Sequence, residues 1–410
     1  MKTKIKRVLS VFSVFALSIT YINCPPASKS NDSAAFLALL SGGCKSGSIT
    51  GTDNWSGTVS LCGIVTVENG GTLNVAAGTT VKGFPGSYIL VLQGGKIFAD
   101  GTAGSPIVFT SGFDVGSRAP GDWGGIVIVG NASGAAAGET EGVNPQPYGL
   151  TTAAATETDN SGILNYVRIE FAGNEVSTND ELNGLSMYGV GSGTTISYVQ
   201  IHRGLDDGIE AWGGSVNMDH ILVTGTMDDD LDLDEAYGGT VTEFISHKYP
   251  SACGGVYSAD PRNFEMDGFA SNGAAPVAGY RDDSFSATIT NFTLVGIPDV
   301  VSGSQIARFR EGFQGNLSNG VMVQRSSGNG QVSANGGGGP ATTVGFTNVF
   351  ATTAFSSVTA DADATITTTG EDSSCEFSTV PNYTLLNASV NGGNGSDGQW
   401  YNGWTYYRAN

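Results

Sequence analysis

In residues 204–241, GLDDGIEAWGGSVNMDHILVTGTMDDDLDLDEAYGGTV, the pairs Ile209 and Ala211, Ile221 and Val223, and Leu231 and Leu233 alternate with polar neighbours. That is the period of a strand with one buried face. The pattern repeats along the chain. YVQIHRGLDDGIEAWGGSV (198–216) is matched by HILVTGTMDDDLDLDEAYGGTV (220–241), with Tyr198 and His220 separated by 22 residues and Gly213 and Gly238 by 25. GGTLNVAAGTTVKG (70–83) is answered by GGKIFADGTAGSPIVFTS (94–111), Gly71 to Gly95 being a step of 24. YVRIEFAG (166–173) and NGLSMYGVGSGTTI (183–196) fit the same template, and TITNFTLVG (288–296) and GNLSNGVMVQ (315–324) are more divergent copies.

A strand of four to six residues cannot bury its apolar face alone, so the copies must stack. No stretch after residue 62 carries a sustained helical period with caps. The expectation is an all-β chain folded as a right-handed parallel β-helix, one coil per repeat. A propeller blade needs about 40 residues and a β-sandwich would not repeat, so neither fits as well. Segments 130–162, 248–283 and 325–343 are too long or too irregular for a turn and are read as excursions from the stack.

Stacking has a chemical consequence. Equivalent residues on successive coils lie about 4.8 Å apart, so the alignment predicts a column of Asn183, Asp207 and Asp229, a second of Glu210 and Asp232, and a third of Asp206 and Asp228. Asp230, Asp232 and Asp234 are expected on the outward face of one strand. The 204–241 window holds ten carboxylates and no Lys or Arg. Two carboxylates at this spacing repel by roughly 3.5 kcal/mol at an effective dielectric of 20. Solvation can relieve that, a retained proton can, or a hard cation such as Ca²⁺ bound among Asp206, Asp207, Asp228, Asp229, Asp230 and Asp232. Within the window, DDDLDLDEAYGG (228–239) has the D-x-D-x-D opening of an EF-hand loop in Asp230, Asp232 and Asp234, but Glu235 stands where that loop needs Gly and Val241 where it needs Glu.

The whole chain has 410 residues, 61 of them Gly, with 40% hydrophobic and 14% charged residues, a composition for strands and turns around a large core rather than for a disordered acidic protein. At the N-terminus, Lys2, Lys4, Lys6 and Arg7 precede an apolar run from Val8 to Ile22, which reads as an export signal over residues 1–23. Cys24 follows, resembling the acylated cysteine of a lipoprotein, although Tyr21 and Asn23 depart from the usual small-residue box. Residues 24–43 then read as a flexible tether and 44–410 as a single β-helix domain. Removing the leader takes four of the 18 basic residues and none of the 38 acidic ones, leaving a net charge of −24. Nucleic acid is thereby disfavoured as a partner and cations are favoured. Cys44, Cys62, Cys253 and Cys375 form an even set, and of the three pairings Cys44–Cys62 with Cys253–Cys375 is preferred, the first pinning the N-terminal end locally.

Candidate catalytic chemistry is thin. GLDDGIEAWGG (204–214) faintly resembles the paired aspartates of β-helical polygalacturonases, without their Gly-His-Gly and Arg-Ile-Lys. A calcium-dependent lyase would use acids such as Asp207 and Asp229 with an arginine such as Arg203 as base, the plainer alternative being that the arginine neutralises a neighbour. His202, His220 and His247 are read as surface or edge residues at the ends of repeat strands, with no shared site. In QWYNGWTYYRAN (399–410), Trp400, Trp404 and Tyr406 are expected either to lid the last coil or to stack on sugar rings.

GGTLNVAAGTTVKG, GSPIVFTS, GDWGGIVIVG (121–130), YVRIEFAG, GVGSGTTISYVQIHRGLDDGIEAWGG, DDDLDLDEAYGG, FREGFQGNLSN (309–319) and GWT (403–405) together resemble a family of bacterial cell-surface proteins and lipoproteins with predicted, pectate-lyase-like parallel β-helices. The resemblance implies fold and location, and carries no catalytic residues. The resulting expectation is a protein held in a membrane by its N-terminal lipid, at the outer membrane or cell surface, using calcium on an acidic face to bind a glycan or host matrix ligand. A polysaccharide lyase or hydrolase and a purely structural envelope protein are the alternatives.

Overall fold

The computed structural model describes residues 43–177, 180–268, 276–327, 329, 332–334, 341–352, 361, 362, 375, 381–386 and 390–410. The expected leader, Cys24 and tether lie outside the described residues. The described residues form a right-handed parallel β-helix whose strands join into one 23-stranded parallel array.

Each coil contributes three faces. In the middle of the stack the first face runs through Ile196, Met218 and Val241, and the second through Val199, Ile221 and Phe244. The third runs through Ile126, Leu185, Ile209, Leu231 and Phe264. All of these side chains point inward and are essentially inaccessible. One residue from each coil occupies each apolar column, so the core is a stack of like on like, which the alternation in the sequence anticipates. Glycine sets how closely coils approach: a Cβ on Gly208 would lie 2.6 Å from both Asp230 O and Val223 Cγ1.

The first and second faces meet at a corner made by one residue in the left-handed conformation. Tyr166, Tyr198, His220, Glu243, Asn291, Asn319 and Asn348 fill this position on successive coils with φ between 47° and 55°. Asn tolerates it best. The ring-bearing members stack instead, with centroids 4.4 Å apart for Tyr166 and Tyr198 and 4.2 Å for Tyr198 and His220.

Several expectations are corrected. The segment 248–283 is not all excursion: Arg262–Asp267 is a full third-face strand, paired with Leu231–Asp234 on one side and Gln305–Arg310 on the other. Val332–Ala334, inside 325–343, is another. Segment 130–162 does leave the stack, carrying a small antiparallel hairpin, Gly138–Glu139 with Pro147–Tyr148. The aromatic C-terminal segment does not lid the last coil. Residues 390–410 run along the second-face flank, where Trp400, Tyr401, Trp404 and Tyr407 pack on Leu222, Ile245, Val295, Val321 and Val323. The disulfides Cys44–Cys62 and Cys253–Cys375 are both formed, as the sequence led us to expect.

Because the corner demands φ > 0, Asn319→Val is expected to lower the unfolding free energy by about 1–3 kcal/mol relative to Asn319→Gly. Chemical denaturation of the two variants side by side measures the difference.

Candidate functional site

The acidic residues gather where the second face turns into the third. Asn183, Asp207 and Asp229 stand above one another, all buried, and the column is a hydrogen-bonded ladder. Asn183 Oδ1 accepts from the Asp207 N–H at 3.1 Å, Asp207 Oδ1 from the Asp229 N–H at 2.8 Å, and Asp229 Oδ1 from the Arg262 N–H at 2.5 Å. Each carboxylate thus spends one oxygen on the backbone of the next coil, which partly repays its desolvation.

Beside the ladder the third face presents Ser186, Glu210, Asp232, Glu265 and Arg308 in lateral register. Glu210 Oε2 accepts from Asn183 Nδ2 at 2.7 Å. Asp232 Oδ1 is buried without a hydrogen-bond donor. Three sets of carboxylates bring ligand atoms within 4.8 Å of one another: Asp206, Asp207 and Asp228; Asp207, Glu210 and Asp232; and Asp229, Asp232 and Glu265. All donors are hard oxygens and the sets share members, which is chemistry suited to Ca²⁺ and unlike the nitrogen and sulfur sets preferred by zinc.

The countercharge comes from the next coils. Arg262, 3% exposed in its side chain, reaches Glu265 at 2.7 Å, Asp229 at 3.3 Å and Asp260 at 2.5 Å. Arg310 lies 2.6 Å from Asp267 and 3.1 Å from Glu265. These cations do not balance the cluster. Burial, then the charges of Asp228, Glu181 and Glu141, push Asp206 up to about 8. Burial and neighbouring carboxylates likewise hold Asp207, Glu210, Asp229, Asp232 and Asp234 well above the usual range. Burial raises Glu235 to about 7, against the donated hydrogen bond from Tyr148 of the 138–148 hairpin.

Of the residues singled out from sequence, Asp206, Asp207, Asp228, Asp229 and Asp232 do converge. Asp230 does not join them. It lies in the bend just before the strand Leu231–Asp234 with its side chain turned inside, fully buried, 2.9 Å from the equally buried Lys248 and accepting hydrogen bonds from Thr226, Ser246 and Asn263. Arg203 is also misplaced as a base: it is buried elsewhere, donating to the carbonyls of Gly225, Cys253 and Gly254 over the Tyr249 ring. Trp400 and Trp404 are buried against the flank and offer no ring face to a sugar, while Tyr406 is half-buried over Arg168. The histidines are all buried, and only His202 and His247 end strands. Thr224 pairs with both, so these two share a column, whereas His220 sits at the corner within its strand.

Arg262, Glu265 and Lys248 were missed. The signal for Arg262 and Glu265 was present in RNFEMD (262–267), where Phe264 and Met266 alternate with charged residues as Leu231 and Leu233 do; Lys248, just past the strand ending at His247, carried no such signal.

A family model described as pectate-lyase-like beta helix domain matches residues 48–405. No curated protein and no solved structure matches the chain.

Arg262→Leu leaves Asp229 and Glu265 buried without their partner and should destabilise the protein by about 3–5 kcal/mol in thermal or chemical unfolding. The pH dependence follows from the raised carboxyls. A group such as Asp206, at 3.8 unfolded and about 8 folded, binds more protons in the native state between those values. Native stability in chelator is therefore expected to fall as pH rises from about 4 to about 8, measured as melting temperature.

Proposed function

We propose, for a chain that belongs to the pectate-lyase-like β-helix domain family, that the acidic third face holds calcium and presents it to a polysaccharide, so that the protein binds a glycan or matrix ligand. In this reading the protein is exported and anchored through a lipid on Cys24, at the outer membrane or cell surface. The observation that carries the binding function is the excess of buried carboxylate over cation across three successive coils, including an Asp232 oxygen with no donor. A divalent ion among Asp206, Asp207, Asp228, Asp229, Asp232, Glu210 and Glu265 offsets two charges of that excess, and retained protons offset part of the rest. Its outward coordination positions then accept hydroxyl and carboxylate oxygens of a sugar chain.

One observation favours a second reading, a calcium-dependent polysaccharide lyase or hydrolase. Arg308 follows Glu265 in the same column with a 32% exposed side chain. It lines an open hollow with Asp260, Arg262, Gly303, Gln305 and Ser333. A lyase of this kind would need the metal to acidify the sugar's α-proton and a basic side chain, here Arg308 in its unprotonated form, to take that proton up.

Calorimetry with calcium should give saturable heat and a higher melting temperature in wild type, and neither in Asp207→Asn/Asp229→Asn. Absence of both effects in wild type removes the metal-bridged reading. Glycan retention that chelator abolishes without sugar release supports the binder, and unsaturated or reducing ends accumulating from an acidic polysaccharide support the enzyme. Incorporation of labelled palmitate, lost in Cys24→Ser, tests the anchor.

A further inference from the structure

His220 lies on the flank away from the acidic groove, with a side chain 8% exposed. Its Nδ1 is 2.7 Å from Asp219 Oδ2 and its Nε2 is 3.1 Å from Asp397 Oδ2. Carboxylates only accept hydrogen bonds, and a neutral imidazole donates from only one nitrogen. Both contacts are satisfied together only by the imidazolium.

Asp219 belongs to the solenoid and Asp397 to the segment 390–410 that lies across it. The proton on His220 therefore joins the two. We infer that residues 390–410 form a strap latched to the flank by protonated His220, and that the latch opens when His220 loses its proton.

Around the ring, the Tyr198 hydroxyl lies 3.5 Å from Nε2, at the limit of a hydrogen bond and farther than the Asp397 carboxylate at 3.1 Å. Tyr198 on the preceding coil stacks on it at 4.2 Å, with Tyr166 stacked beyond. Burial and these neighbours push the Tyr198 hydroxyl up to about 12, so it stays neutral. Glu243 occupies the same corner on the following coil and adds negative charge. From the strap, Trp400 meets the ring edge-on at 5.1 Å beside Asp397. Asp219 is itself fixed by Thr242 at 2.6 Å and Ser197 at 3.3 Å. Burial alone lowers the imidazole's pKa. The hydrogen bond and charge of Asp219, then Glu243 and Asp397, outweigh burial and raise it above 6.5.

The sign is fixed by that direction: the latch contributes fully below about pH 6.5 and is lost as pH rises through the higher folded value. His202 also touches the strap, through Nε2 and the Arg408 carbonyl, but burial first of all lowers it to about 3 and it stays neutral throughout. Among the described residues, the other hydrogen bonds between the strap and the solenoid, made by Arg168, Gln200, Tyr249 and Thr293, involve no group that titrates in this range. The latch is thus a single-residue switch.

Hydrogen-exchange mass spectrometry on the intact chain at about pH 5 and about pH 9, corrected for intrinsic rates, tests it. Relative to peptides covering Ile107–Ser111, away from the acidic cluster, protection of 390–410 should fall by roughly tenfold for each unit by which docking raises the His220 pKa. In His220→Gln and in Asp397→Asn that pH dependence should be lost, while protection of Ile107–Ser111 stays as in wild type and confirms folding. Strap protection in wild type that is unchanged between the two pH values overturns the inference, as does a pH dependence retained in His220→Gln. Should both variants misfold, an NMR titration of wild-type His220 decides: a pKa below 6.5 overturns the latch and one above it supports the latch.

Discussion

Coil spacing governs this molecule. Backbone hydrogen bonding between coils fixes adjacent strands about 4.8 Å apart, and lateral register then forces equivalent side chains into contact along the whole stack. Inside, the result is favourable, since Ile209 on Leu231 on Phe264 excludes water at no electrostatic cost. At the corner before the third face the same register puts Asp207 on Asp229. The protein meets that repulsion locally: a main-chain N–H from the next coil for each carboxylate, a neutral Asn183 at one end of the ladder, and Arg262 at the other. These devices do not cancel the cost of burial and crowding: Asp206, Asp207, Glu210, Asp229 and Asp232 all hold their protons above the usual carboxylate range.

Much of this was legible from residue order. The period of 22 to 25 residues gave the coils, and taking it literally placed Asn183, Asp207 and Asp229 in one column and Glu210 with Asp232 in another. Failures arose where one coil is interrupted. Between Leu231–Asp234 and Arg262–Asp267 the chain inserts a long connection, so the repeat was lost and with it Arg262 and Glu265. Asp230 was misread because alternation counts outward from Leu231, whereas the backbone bends at Asp230 and turns its carboxyl toward Lys248.

The C-terminal aromatics illustrate a different limit. Composition correctly marked QWYNGWTYYRAN as a cover for apolar surface. What it covers depends on a flank created only when Leu222, Ile245, Val295, Val321 and Val323 line up on the outside of the second face. Those residues are consecutive with inward-pointing ones, so that face reads as a nearly continuous apolar run and does not show two sides. His202 and His247 were likewise assigned to the surface because nothing local to them announces their distant partners, Arg408 of the strap for the one and Tyr383 and Arg325 for the other.

The strap also alters the order in which the molecule can be completed. Coil contacts join residues a few tens apart, so a chain emerging from its N-terminal side can lay down rungs one after another. Arg168 and Gln200, by contrast, bond to carbonyls 236 and 206 positions later. The middle of the stack is therefore built early and sheathed late, and during synthesis its oily side wall stays bare while more than a hundred further residues are still to be made.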